Sequence, residues 1–177
     1  MSEAHTAGAR VLYLSASQRS KIIGAVHGDA DAAAAFDSTL MSDPVRLFVE
    51  VLSTKRVPAH SGVSYGHTYV TQHPTTLARV AIGYGHGIPR KAGNSVSVTW
   101  SPAEGPPIRL PIVGRVAMDE FVVDAGDAPV LPGSRVCVFG DPRRGEVSLG
   151  EWAESLGESP VSLAACLDGR VVRSVSE

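Results

Sequence analysis

Cysteine is scarce in this chain. Its 177 residues include two, Cys137 and Cys166, too few for a disulfide framework and not arranged as a CxxC pair. Lysine is almost as rare: Lys21, Lys55 and Lys91 stand against thirteen arginines. No stretch reaches the ~20 apolar residues that a membrane span needs. Met1 to Arg10 hold no basic patch followed by an apolar block, so no secretory signal is read there. A formal net charge of −2 at pH 7 provides no phosphate-neutralising field and argues against a nucleic-acid binder. These absences lead us to expect a soluble, cytoplasmic protein with neither nucleic acid nor membrane among its partners.

What is present is an ordinary globular composition, 44% hydrophobic and 19% charged, at a length that suits one domain with an appended segment. Ser15-Ala-Ser-Gln18 predicts a capping box that opens a short helix through Ile22 and Ile23, stopping near Gly24. Val11–Leu14 reads as a short strand. The run Asp29 to Phe36 favours helix by propensity but offers little apolar face. Residues 1–40 are therefore expected to form an N-terminal segment, partly helical or loosely attached.

From Pro44 onward the pattern turns to period two, with Val45, Leu47, Val49 and Val51 on one face. Strands are expected again at Leu77–Ile82, Val96–Trp100, Ile108–Val116, Phe121–Val123, Arg135–Phe139 and Val171–Val175, separated by Gly/Pro turn clusters. Many short strands at this spacing indicate a mainly β barrel or sandwich over residues 41–177. One short helix is expected in it, capped by Ser148 with Glu151, apolar at Trp152, Ala153 and Leu156, and stopped by Gly157. Its expected role is to plug one end of the barrel.

Chemistry-bearing residues are few. His60, His67, His73 and His86 match no metal-ligand spacing and read as loop residues. Gly83-Tyr-Gly-His-Gly87 lacks the lysine of a phosphate loop, no GxSxG elbow occurs, and both cysteines fall in apolar runs that read as strands with core thiols. What remains are tyrosines in glycine-flanked loops: Tyr65, Tyr69 and Tyr84. A phenol titrates near 10 and is a poor base at neutral pH unless a cation stabilises its anion. It can still exchange a proton with a substrate carbon that an electron sink has acidified. Spacing alone leaves structural and catalytic roles open.

Five blocks in order carry a resemblance. They are Lys55-Arg-Val-Pro-Ala-His-Ser-Gly-Val-Ser-Tyr-Gly-His-Thr-Tyr-Val-Thr71, Ala81-Ile-Gly-Tyr-Gly-His-Gly-Ile-Pro-Arg90, Pro111-Ile-Val-Gly-Arg-Val-Ala-Met-Asp-Glu120, Val136-Cys-Val-Phe-Gly140 and Ser148-Leu-Gly-Glu-Trp-Ala153. Together they resemble the C-terminal β-domain of bacterial alanine racemases over about Asp43 to Val172. The resemblance implies a Greek-key-like β-barrel or sandwich domain. In that family an N-terminal α/β barrel holds pyridoxal phosphate through a lysine, and the C-terminal domain reaches the active site of the other subunit in a homodimer. By resemblance Tyr65 is the trans-acting catalytic base, Tyr84 a second tyrosine lining the entrance, and Arg115 an entrance arginine. Met118 matches the residue whose backbone N–H holds the substrate carboxylate, with Asp119 beside it.

The barrel itself is not read in this sequence, since eight β/α units take ~250 residues. Aligning Tyr84-Gly-His-Gly87 instead with the family's cofactor-lysine motif puts Val80 at the lysine position, and Ile88-Pro-Arg90 favours the C-terminal assignment. Three positions depart from the family: His86 replaces an aspartate, Ala117 a cysteine, and Ser162 the tyrosine that reaches the cofactor phosphate. The expectation is that this chain binds neither cofactor nor metal alone. Pyridoxal phosphate is implied on a partner barrel protein, to which the chain contributes Tyr65 for alanine racemisation. The alternative is a non-catalytic interaction or regulatory β-module that docks on such a protein or self-associates.

Overall fold

Alternation of apolar and polar residues sets the framework. Val45, Leu47, Val49 and Val51 all lie at 1% exposure or less, the last three along one face of a single long strand that begins at Arg46, because successive side chains point to opposite sides of the pleat. The computed structural model describes residues 10–167 and 171–175. Along the chain come β1 (Arg10–Leu14), α1 (Ala16–Val26), α2 (Ala30–Thr39), β2 (Arg46–Val57), β3 (Gly62–Val63), β4 (Tyr69–Val70), β5 (Thr75–Val80), β6 (Ser97–Trp100), β7 (Ile108–Pro111), β8 (Phe121–Gly126), β9 (Arg135–Phe139), α3 (Leu149–Leu156), α4 (Pro160–Ala165) and β10 (Val172–Val175).

The long strand β2 serves two neighbourhoods. Its first half lies antiparallel between β1 and β9, with Phe48 opposite Val11 and Cys137. An irregularity between Val51 and Ser53 turns it, and its second half pairs with β5. From there β5 pairs with β8, while on the other side β9 pairs with β6 and β6 with β7. An isolated bridge from Ile112 to Val123 joins the two ends. The result is a mainly β, nearly closed barrel, with β10 and β1 extending it as a parallel pair. The barrel encloses Val80, Val98, Leu110, Phe121, Val123 and Val138, all at 1% exposure or less.

The segment 10–40 contributes three buried apolar residues to this core. Leu12, Leu14 and Phe36 are at 2% exposure or less. Ser15 and Gln18 form the expected capping box, but α1 runs two residues past Gly24. Gln18, buried, also donates from its side chain to Asp43 O, which ties α1 to the entry of β2. The Ala-rich α2 has one large buried anchor, Phe36.

Helix α3 starts at the Ser148 cap and ends at Gly157 as expected. Trp152 packs edge-on against Phe139, centroids 5.8 Å apart, and donates from its indole N–H to Ser97 O at 2.8 Å. A second helix follows that the sequence reading lacked: α4, capped by Ser159 with Pro160 in its first turn. The strand expected over Ile108–Val116 ends at Pro111, and the chain turns at Gly114, where φ is 76°. Among the described residues, no helix is long and apolar enough to cross a membrane.

Candidate active site

Tyr65 stands at the tip of the β3–β4 hairpin, whose strands are two residues each. The hairpin's base is fixed by Thr71, 1% exposed. Its hydroxyl accepts from Ser61 N–H and donates to Pro58 O, both at 2.9 Å. Within the loop, Ser64 (φ 59°), Gly66 (φ 81°) and His67 (φ 46°) are all left-handed. Serine and histidine hold that conformation at a cost of about 1 kcal/mol or more each. The effect of this backbone is to drive the Tyr65 ring outward, to 86% exposure.

Tyr69, four residues on, has the opposite setting. Its hydroxyl donates to Asp124 Oδ2 at 3.2 Å, and Thr75 donates to the other carboxylate oxygen. Burial, and then the Asp124 carboxylate, push its phenol up from the ordinary value. Tyr69 is a packing tyrosine and Tyr65 is a projecting one.

The segment from Gly114 to Asp119 collects the remaining residues. Arg115 is exposed, and its guanidinium carbon lies 6.0 Å from the Tyr65 ring centroid, a cation–π arrangement. Among the described residues, no carboxylate lies within ion-pair distance of Arg115. Val116, 2% exposed, anchors the segment. Beyond it, Tyr84 and Gly85 donate their backbone N–H groups to Ala117 O (2.9 Å) and Met118 O (2.8 Å). The structure thus brings Tyr65 and Tyr84 to opposite ends of one segment that carries Arg115, Met118 and Asp119.

Met118 is 53% exposed, and among the described residues its backbone N–H has no acceptor. Tyr84 is 42% exposed, with the Arg90 guanidinium 5.1 Å from its ring centroid. Arg90 ends the Ala81–Arg90 block, and its spacing alone points to no role. His86, expected in a loop like the other histidines, is 1% exposed. Its Nδ1 accepts the Gly83 N–H at 3.2 Å, which leaves Nε2 directed to Asp119 Oδ1, 4.0 Å away.

The other candidate chemistries are not assembled. Among the described residues, no three His, Cys, Asp or Glu side chains cluster as a metal site would require. Cys137 is buried in β9, and burial pushes its thiol up, away from nucleophilic use. Cys166, read as a strand residue, is exposed at the end of α4. The donors present do not fit pyridoxal phosphate. Lys91 Nζ is paired with Glu158 at 2.5 Å, Lys21 and Lys55 lie on α1 and β2, and the backbone N–H of Ser162 is bound to Ser159 Oγ.

Three comparisons bear on this site. Residues 45–175 match the family model described as alanine racemase, C-terminal domain. An alanine racemase from Salinispora arenicola is 49% identical over 107 residues, 60% of this chain and 27% of that protein. Among solved structures, alanine racemase from Streptomyces coelicolor A3(2) superposes with a TM-score of 0.69 at 36% identity, covering 75% of this chain and 33% of that one. Alanine racemase from Bartonella henselae, solved with covalently bound pyridoxal phosphate, gives 0.65 at 29% identity, covering 75% and 35%. The chain spans about a third or less of the relatives it matches. With that match running from the first half of β2 to β10, and so through both tyrosine loops, the chain belongs to the alanine racemase C-terminal domain family.

Proposed function

We propose that this domain supplies Tyr65 in trans to a pyridoxal-phosphate barrel carried by another polypeptide, and so supports alanine racemisation. The observation that carries the reading is Tyr65 itself: a phenol at 86% exposure, held on a left-handed loop beside an arginine that has no acidic partner among the described residues. Bound to the partner, pyridoxal phosphate supplies the electron sink. This chain's residues do the rest on their own face of the substrate. Tyr65 Oη moves a proton at the substrate α-carbon. The Met118 N–H donates to the substrate carboxylate, and Tyr84 with Arg115 and Asp119 narrows the approach. The free cysteines are in keeping with a cytoplasmic setting.

The test mixes the chain with a barrel protein and follows interconversion of L- and D-alanine. Tyr65→Phe should lower the rate roughly 100-fold or more while leaving the complex intact. Activity unchanged in that variant would end the catalytic reading.

A non-catalytic docking module is the second reading, favoured by the departures at His86, Ala117 and Ser162. In that case Tyr65, Tyr84 and Met118 are contact residues, for a barrel protein or for a second copy. Tyr65→Ala would then weaken binding, and no racemisation would accompany the wild-type complex.

A further inference from the structure

We propose that Asn94 is a positioning residue for Tyr65, its carboxamide fixing the Tyr65 hairpin against the Arg115 segment; the inference rests on the reading of Tyr65 just given. Asn94 follows Gly93, whose backbone meets Gly114 so closely that a Cβ there would stand 2.3 Å from Gly114 O. At φ 61° Asn94 is left-handed, which asparagine tolerates better than most residues. Its backbone N–H donates to Ile112 O at 3.0 Å. Its side chain then reaches two ways. Oδ1 accepts the Gly114 N–H at 2.6 Å, and Nδ2 donates to Thr68 Oγ1 at 3.3 Å.

Thr68 belongs to the loop that carries Tyr65, and Gly114 directly precedes Arg115. On the hairpin's other side Gly114, at φ 76°, allows a contact in which a Cβ would lie 2.7 Å from Ser64 Oγ. A hairpin with two-residue strands has little hold on its own loop. One amide, using its acceptor on one loop and its donor on the other, therefore sets where the phenol stands relative to the arginine.

Two variants separate the carboxamide from the backbone. Asn94→Gly suits the left-handed conformation and loses both bonds. Thr68→Val keeps the acceptor for Gly114 and removes the hydroxyl that Nδ2 meets. In the full chain with ring-labelled tyrosine, we expect Asn94→Gly to speed hydrogen exchange at the Gly114 amide roughly five- to tenfold and to shift the Tyr65 resonance. Thr68→Val should keep Gly114 protected and still shift Tyr65. With a barrel protein, both variants should lower kcat roughly tenfold or more with KM little changed. An unshifted Tyr65 resonance in both variants overturns the proposal, and if Asn94→Gly does not fold, Thr68→Val decides alone. Should the wild-type chain support no racemisation while both variants still displace Tyr65, the catalytic reading falls and the positioning role of Asn94 stands.

Discussion

Gly83 and Ala117 meet backbone to backbone: a Cβ on Gly83 would stand 2.2 Å from the Ala117 carbonyl oxygen and 2.6 Å from that of Met118. This approach lets the Tyr84 turn hydrogen-bond to the segment that carries Met118. Gly83→Ala should therefore cost roughly 1–3 kcal/mol and part Tyr84 from Met118. Urea unfolding checks it; a midpoint equal to the parent's would mean that the two loops are not locked together this way.

The two hairpin tyrosines should separate in a stability assay. Tyr69→Phe removes the bond to Asp124 and is expected to cost about 1 kcal/mol. Tyr65→Phe, which breaks no hydrogen bond, should leave the unfolding midpoint within error. Equal losses would contradict the division of labour between them.

Phe36 is the one large anchor of α2, and Phe36→Ala should destabilise the chain by roughly 3–5 kcal/mol. A change confined to local fraying of residues 16–39, with the barrel's midpoint untouched, would show that α1 and α2 are an independent layer.

The buried Glu146, 4% exposed, takes two bonds from Arg46 and one from the Asp141 N–H at 2.8 Å. Glu146→Gln strips the charge from a pair that burial makes expensive to break, and about 3 kcal/mol of stability should go with it. Calorimetry on the variant gives the answer directly.

The same group sets an acid limit. Burial pushes the Glu146 carboxyl up, but Arg46 and the Asp141 N–H outweigh it, and its value is lowered from 4.5. Asp141 is likewise lowered from 3.8, chiefly by its hydrogen bond from Arg143. A carboxylate lowered on folding contributes stability above its unfolded value and loses it as pH falls through the folded one. Stability should thus hold from neutral pH down to about 4.5 and decline below. Asp37, raised by burial, opposes this in part. Glu146→Gln should flatten the acid limb, and an unaltered limb would shift the cause elsewhere.

Period-two stretches with a single buried face were legible as sequence. In the first half of β2 the alternation of Leu and Val maps directly onto burial, because one face of the strand must leave water, whereas β9 is buried on both faces from Val136 to Phe139 and reads as a continuous apolar run. Beyond Pro111 the apolar run misleads, since the left-handed turn at Gly114 breaks the strand that Ile112, Val113 and Val116 seem to extend. Helix α4 has six residues and no periodicity, and the Ser159-Pro160 pair was its one local signal. The tyrosine loops were legible as glycine-flanked positions, but not the conformation that makes Tyr65 project, because Ser64 and His67 are not residues that announce a positive φ. Asn94 was invisible for a related reason: both of its side-chain partners are distant in sequence, and only the fold delivers them.

The parallel pairing of Val11 with Val172 has a kinetic corollary. Strand β1 and its parallel neighbour β10 lie far apart in sequence, with β2 to β9 between them. Loop closure over that distance is slow, so a nascent chain must carry β1 with one edge open until β10 emerges. Refolding should show the barrel's tryptophan signal settling ahead of any probe placed on Tyr13.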